Sequence, residues 1–243
     1  MPNRSINSLV ALAQTIAAFD RRSAVVAIAG GVASGKTTLA NMLVFELEKL
    51  GLTAQVCSTD NFLKTNSELC QLGLERKKGW PETYNLKELS KFIIEFKNIN
   101  STDFSISIPY YCHYKYDIIP NNYLHVQGSD VLIVEGVTAL NSQISQFYDF
   151  RIYLEVEPDF ARAWFIDRAL KLINASIAQP DNFYHKWSAW ELEKIMPVLD
   201  DCWQKINLEN LNQNIVLTKA KANLVIEKNL EHEYVNFIWS EDA

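Results

Sequence analysis

A run of glycine, lysine and threonine near the start of the chain has the spacing of a phosphate-binding loop. The stretch GGVASGKTT matches the pattern G-x-x-x-x-G-K-[ST]. Glycines allow successive backbone N–H groups to surround phosphate oxygens, the lysine reaches the β- and γ-phosphates, and the following hydroxyl can ligate Mg²⁺. The pattern therefore predicts a site for ATP and Mg²⁺, formed by Gly30, Gly31, Val32, Ala33, Ser34, Gly35, Lys36, Thr37 and Thr38.

The flanking residues favour this interpretation over a plain glycine-rich turn before a helix. The stretch AVVAIAGG (24–31) is a short, β-branched apolar run, as in a buried strand. The stretch TTLANMLVFELEKL (37–50) has apolar residues at helical spacing and is followed by a glycine that can end a helix. A strand that enters the loop and a helix that leaves it are the context that the motif requires.

Two other predicted strands end in acids. Asp60 closes TAQVCSTD (53–60), and Glu135 lies at the end of DVLIVEG (130–136). If both strands run parallel to the first, both carboxylates face the nucleotide, where one can act as a base and another can hold Mg²⁺. The alternatives are a helix cap or Asx turn for Asp60 and a surface turn for Glu135. No [NT]-K-x-D string follows the first strand, which disfavours a GTP switch and favours a kinase of a small molecule.

Strands and helices alternate along the chain, which predicts an α/β fold with a mainly parallel sheet and helices on both faces. Further strands are predicted at 104–111, 150–157, 215–218 and 223–227, and further helices at 86–98, 158–173 and about 188–212. Residues 1–23 are predicted to be an N-terminal amphipathic helical extension, and residues 24–243 a single P-loop kinase domain. Polar residues interrupt the apolar positions of the extension, which disfavours the alternative of a signal peptide.

The composition limits the classes of binding partner that we expect. The formal net charge of −6 gives no reason to expect binding to nucleic acid or to an anionic membrane. No run of 18 apolar residues is present, so no membrane span is predicted. The four cysteines are scattered and form no C-x-x-C pair, as expected of reduced thiols in a cytoplasmic protein.

The stretch PYYCHYKYDIIP (109–120) is unusually rich in tyrosine and histidine. Alternation along a strand would place Tyr111 and His113 on one side and Tyr114 and Tyr116 on the other. Aromatic residues favour strands, so packing within a sheet is one interpretation, and the wall of a binding site is the other.

Several ordered stretches make the chain resemble the type I, bacterial-type pantothenate kinases, within the larger family of uridine kinase and phosphoribulokinase. The resemblance extends from about residue 24 to residue 230. It rests on GGVASGKTT, STDNFL, ERKKGWPETYNL, YCHYKYDIIP, VLIVEG, WFIDRALK, PDNFYHKW and INLENLNQNI.

The resemblance implies ATP-dependent phosphorylation of the primary hydroxyl of pantothenate, the first step of coenzyme A biosynthesis, by a homodimer. It assigns the catalytic base to Asp60, the phosphate and Mg²⁺ contacts to Lys36 and Thr37, the strand-end acid to Glu135, and charge neutralisation on the transferred group to Arg168. A solvated helix face is the alternative for Arg168. By the same resemblance, the residues of the pantothenate and coenzyme A pocket are Tyr111, His113, Tyr116, Phe165 and Asn207.

Some residues depart from the family pattern. Asn41 replaces an arginine that helps the family bind coenzyme A, Phe165 replaces a tyrosine near pantothenate, and Asn61 replaces the glycine after the catalytic aspartate. Two alternatives to pantothenate phosphorylation stay open. One is a kinase of the same fold for another alcohol, such as glycerate or a nucleoside, and the other is a catalytically idle nucleotide-binding module.

Overall fold

A computed structural model describes residues 7–19, 23–99 and 104–240. Within these ranges the core is a six-stranded sheet with the order β2-β5-β1-β6-β7-β8, in which β8 alone runs antiparallel. A separate antiparallel pair is formed by β3 and β4. The strands are β1 (Ala24–Gly30), β2 (Ala54–Ser58), β3 (Ser105–Cys112), β4 (Asp117–Gln127), β5 (Val131–Glu135), β6 (Phe150–Val156), β7 (Leu224–Lys228) and β8 (Tyr234–Trp239).

Six α-helices accompany these strands in the described part of the chain. They are α1 (Leu9–Ala17), α2 (Lys36–Lys49), α3 (Asn66–Gln71), α4 (Leu86–Lys97), α5 (Pro158–Ala175) and α6 (Leu192–Cys202). Two π-helical segments, Trp203–Leu208 and Leu211–Ile215, follow α6, and then a 3₁₀ helix, Val216–Lys221. None of the helices described is long and apolar enough to cross a membrane.

The central strand explains why helices cover both faces of the sheet. Every residue of β1 is buried, and successive side chains point to opposite faces. Val25 and Ala27 join a cluster with α4, whereas Val26 and Ile28 join a cluster with α1 and α2. A strand that is apolar on both faces needs cover on both, which is typical of a parallel α/β sheet. The predicted fold class is confirmed.

The first helix packs on the domain through one face. Leu12, Ala13 and Ile16 are buried beside Leu39 and Leu43 of α2. Ser8 caps the helix, since its hydroxyl accepts a hydrogen bond from the Ala11 amide at 3.2 Å. The parts of the predicted extension at 1–6 and 20–22 lie outside the described residues.

Two expectations about the carboxyl-terminal part were wrong or incomplete. Residues 215–218 are not a strand, because Val216–Lys221 form a 3₁₀ helix. The Thr218 hydroxyl donates to the Ile215 carbonyl at 2.7 Å, a local bond that favours a turn over an extended strand. The edge strand β8 was not predicted. Its side chains are exposed or half-exposed and alternate only weakly, so they pack against the sheet at only some positions.

Candidate active site

The phosphate-binding pattern lies between β1 and α2, as the sequence predicts. Gly35, at the start of α2, has a φ of 94°, in the region that glycine tolerates best. A Cβ atom on Gly30 would lie 2.4 Å from the Leu154 carbonyl oxygen, so glycine is also needed where the loop leaves the sheet. The loop therefore has the shape that lets backbone N–H groups converge on an anion at a helix N-terminus.

Lys36 extends back over this loop. Its side chain is buried, and the ammonium donates a hydrogen bond to the Gly31 carbonyl at 2.7 Å. Burial lowers the pKa of Lys36 to about 8, although the negative charges of Glu135 and Asp60 act in the opposite direction. An ammonium kept in this position is suited to a polyphosphate, whose charge would restore its full protonation.

Glu135 lies at the end of β5, between β1 and β2. In the parallel register it stands opposite Ile28 on one side and Ser58 on the other. Only 5% of Glu135 is exposed, and its carboxylate accepts a hydrogen bond from the Thr37 hydroxyl at 3.1 Å. Burial raises the pKa of Glu135, while the charge of Lys36 lowers it. The alternative of a surface turn residue is thereby wrong, and the hydroxyl–carboxylate pair has the oxygen donors that Mg²⁺ prefers.

Asp60 lies two residues beyond the end of β2, in the short 3₁₀ helix Thr59–Phe62. The buried Tyr84 hydroxyl donates to its carboxylate at 3.0 Å. Burial first, and then the charge of Asp60, raise the pKa of Tyr84, so this phenol remains a donor. β2, β5 and β1 are parallel, so Asp60 and Glu135 lie at the edge of the sheet where the phosphate loop begins.

Arg168 reaches the same neighbourhood from α5. Its side chain is exposed. Burial lowers the pKa of Lys36 and raises that of Tyr116, and the positive charge of Arg168 acts on both groups in the lowering direction. Lys36 thus feels the charges of Asp60, Glu135 and Arg168 together. Two carboxylates and two cations therefore lie close enough to influence one another at the carboxyl edge of the sheet.

The tyrosine-rich stretch forms an aromatic wall beside Asp60. Tyr111, at the end of β3, makes edge contacts with His113 at 5.0 Å and with Tyr116 at 6.3 Å between ring centroids. Tyr116 also stacks on Phe183 at 4.3 Å. Strand alternation was wrong beyond Cys112, because residues 113–116 form a turn and Tyr116 has a φ of 54°. The turn brings Tyr116 to the side of Tyr111, although alternation would separate them.

Phe165 and Asn207 belong to the helical part of the chain that follows β6. The Phe165 ring lies 5.7 Å from that of Trp203 and packs in a small apolar cluster between α5 and α6. Asn207 lies in the first π-helical segment, and its side-chain nitrogen is buried without a hydrogen-bond partner in the described protein. A buried donor with no partner is uncommon and suits a ligand acceptor.

Two residues that hold the site together were not predicted individually. Lys78, in the ERKKG run, donates to Asn66 Oδ1 at 2.7 Å and to the Tyr116 carbonyl, and lies over the Tyr116 ring at 4.2 Å. Burial lowers its pKa to about 8, while Asp117 and Asp60 raise it. Asn61 accepts from the Tyr111 amide at 3.0 Å, which fastens the Asp60 turn to the wall.

Comparisons with known proteins find a matching family and relatives over most of the chain. The model of the phosphoribulokinase / uridine kinase family matches residues 25–172. A protein named pantothenate kinase from Photorhabdus laumondii is 35% identical over 221 residues, which cover 86% of this chain and 69% of that protein. Another pantothenate kinase, from Hamiltonella defensa, is 36% identical over 228 residues, covering 88% and 71%.

A solved structure extends the likeness to nearly the whole chain. The D-glycerate 3-kinase from Cryptococcus neoformans has a TM-score of 0.60, with 16% identity and coverage of 96% of this chain and 95% of that one. At this level of identity the likeness shows the fold alone.

Proposed function

Because the chain belongs to the phosphoribulokinase / uridine kinase family, in which its relatives include pantothenate kinases, we propose that it phosphorylates pantothenate with ATP. The chain is a kinase of the P-loop class. The proposal concerns its acceptor, the roles of its residues and its place at the first step of coenzyme A biosynthesis.

One observation carries the proposal. The phosphate loop, the Thr37–Glu135 pair and Asp60 lie at one edge of the sheet, and Asn61 fastens the Asp60 turn to an aromatic wall that the separate β3–β4 pair contributes and that could hold an organic acceptor. A phosphoryl-transfer site needs this combination, since its catalysis comes from positioning and charge stabilisation. An idle nucleotide-binding module would have no need of a carboxylate between loop and wall.

Asp60 is the proposed base for the acceptor hydroxyl. The hydrogen bond from Tyr84 fixes one carboxylate oxygen at 3.0 Å, which leaves the other to face the acceptor. A positioned carboxylate of this kind takes the hydroxyl proton as the new O–P bond forms. Asn61 supports the same arrangement, because its bond to the Tyr111 amide joins the base to the acceptor wall.

Lys36 and Arg168 are the proposed partners of the transferred phosphoryl group. Both are cations that act on the same edge of the sheet, and positive charge at that point stabilises the oxygens in the transition state. Thr37 and Glu135 would hold Mg²⁺ through their oxygens. When bound, this ion neutralises charge shared between the β- and γ-phosphates.

The acceptor pocket has both apolar and polar recognition. Tyr111, Tyr116 and Phe165 offer aromatic surface, the Asn207 amide offers a free donor, and Lys78 offers a cation. Pantothenate has an apolar dimethyl centre, an amide and a carboxylate, so it matches each of these. His113 is exposed beside Tyr111 and would contact the outer end of the acceptor or of coenzyme A. Asn41 is exposed on α2, where the family arginine for coenzyme A is missing.

An assay of ADP release over a panel of acceptors tests the proposal. The panel contains pantothenate, D-glycerate and uridine, each at equal concentration with Mg-ATP. We expect the highest kcat/KM for pantothenate. A Phe165→Tyr variant tests the pocket, since the added hydroxyl should change the KM for pantothenate and leave that for ATP unchanged. Turnover with glycerate or uridine but not with pantothenate would overturn the acceptor, and nucleotide binding without turnover of any acceptor would indicate an idle module.

A further inference from the structure

A buried lysine lies beside the phosphate loop, at the carboxyl end of β7, which is on the other side of β1 from β2 in the strand order. Lys228 ends β7, and only 7% of it is exposed. Its ammonium donates a hydrogen bond to the Ser34 carbonyl at 3.3 Å. A Cβ atom on Gly35 would lie 2.6 Å from that ammonium, so the lysine is in close contact with the loop backbone.

No carboxylate accompanies this charge. Among the residues that the structure describes, Lys228 has no salt bridge, and its ammonium lies 4.8 Å from the centre of the Trp164 ring and 6.0 Å from that of the Tyr234 ring. A buried charge is normally paired with an opposite charge or a ligand, because burial without one is costly. The reason for burying Lys228 is therefore expected in what its ammonium does to the backbone of the loop.

The geometry of the peptide bond supplies that reason. The carbonyl of Ser34 and the N–H of Gly35 belong to one peptide unit, and no cis peptide occurs in the described residues. In a trans peptide these two groups point in opposite directions. By holding the Ser34 oxygen toward β7, Lys228 turns the Gly35 N–H away from β7. That N–H belongs to the glycine before Lys36, among the amides that cradle phosphate in this motif.

We propose that Lys228 is a positioning residue that orients the Ser34–Gly35 peptide so that its N–H is available to the nucleotide phosphates. The proposal rests on the nucleotide site described above and adds a residue from a strand outside the motif. It acts through the loop backbone and needs no contact with the nucleotide.

The test compares Lys228→Met with Lys228→Arg. Methionine keeps most of the apolar stem but loses the donor, whereas arginine keeps donors at the same end. We expect Lys228→Met to weaken Mg-ADP binding about ten- to hundred-fold, the range for losing a charged hydrogen bond, and Lys228→Arg to recover part of it. Lys221→Met is the matched control, because Lys221 is a half-buried lysine that precedes the start of β7, at the opposite end of that strand from Lys228. It should bind Mg-ADP as the wild type does.

A second readout follows the loop directly. In amide NMR spectra, Mg-ADP should shift the Gly35 resonance of the wild type, and Lys228→Met should lose that shift while the Thr38 amide still responds. Binding of adenosine, which has no phosphate, should be equal in both proteins. If Lys228→Met does not fold, the Gly35 shift in Lys228→Arg decides, and a shift like that of the wild type supports the proposal.

Two results would overturn the proposal. One is wild-type affinity for Mg-ADP together with a normal Gly35 shift in Lys228→Met. The other is an equal loss of Mg-ADP and adenosine binding, which would place Lys228 at the nucleoside. A wild-type protein that binds no Mg-ADP would contradict the proposed function instead, so the two failures are distinguishable.

Discussion

Replacing Asp60 by asparagine removes the proposed base and little else. Asparagine has nearly the same shape, and its side-chain oxygen can still accept the hydrogen bond that Tyr84 donates at 3.0 Å. The helical turn around residue 60 also remains, because Ser58 caps it through the Asp60 amide at 3.3 Å. The fold should therefore be kept, while the group that takes the acceptor proton is lost.

We expect a large loss of rate and a small loss of stability. A positioned base contributes about 10²–10⁴ to the rate, so we expect kcat to fall by that factor. This corresponds to about 3–5 kcal/mol in the activation free energy. The bond from Tyr84 becomes one between neutral groups, which costs on the order of 1 kcal/mol of stability. In a chain of this size that is a fall in Tm of about 2–4 °C.

Steady-state ADP release with saturating pantothenate measures kcat, and calorimetry measures the Kd for Mg-ADP. Asp117→Asn is the matched control. The Asp117 carboxylate also faces Lys78, but it accepts the backbone amides of Asn66 and Ile118 at 2.8 Å and has no role in proton transfer. We expect its kcat to stay within about fivefold of wild type. Turnover of Asp60→Asn at the level of this control would refute the assignment of the base.

Three further predictions concern the surroundings of the base. Burial lowers the pKa of Lys36 from its ordinary value of 10.5 to about 8, so above pH 8 the protein should take up a proton when it binds Mg-ADP. Calorimetry in two buffers should detect this proton in the wild type but not in Lys36→Arg. A Cβ atom on Gly136 would lie 1.7 Å from the Thr59 hydroxyl, so Gly136→Ala should lower the free energy of unfolding by about 1–3 kcal/mol, as measured with denaturant. A variant as stable as the wild type would contradict this close contact between Gly136 and Thr59. Lys78→Met should raise the KM for pantothenate at least about tenfold and leave the Kd for Mg-ADP unchanged. Lys77→Met, at the exposed neighbouring position, should change neither constant. Equal effects of the two substitutions would show that Lys78 does not belong to the acceptor pocket.

The parts of the fold that follow from local pattern were predictable. The strand–loop–helix around Lys36 has its own signature, and the acids at 60 and 135 follow apolar strands whose ends meet at one edge of a parallel sheet. The strand β8 was missed because it is a half-exposed edge strand with weak alternation. The strand predicted at 215–218 was wrong because β-branched residues favour strands. The hydrogen bond that the Thr218 side chain donates to the Ile215 carbonyl favours a turn instead, and residue type alone does not predict that bond.

Less of the site could be predicted, because its contacts join residues far apart in sequence. Tyr116 and Phe183 stack only because a turn reverses the chain after β3. Asn61 departs from the family glycine, and only the structure shows that it ties the base to the wall. Lys228 lies 194 positions from the carbonyl that it holds, so nothing in the loop motif points to it.

The most direct measurement of the central claim is the product formed from pantothenate and Mg-ATP. After incubation with the wild type and with Asp60→Asn, mass spectrometry would detect pantothenate that has gained one phosphoryl group, and phosphorus NMR would locate that group. We predict a phosphate ester on the primary hydroxyl in the wild-type reaction and a trace in the variant. Unmodified pantothenate in the wild-type reaction, with Mg-ADP binding intact, would contradict the proposed acceptor, and an equal yield from both proteins would contradict the role of Asp60.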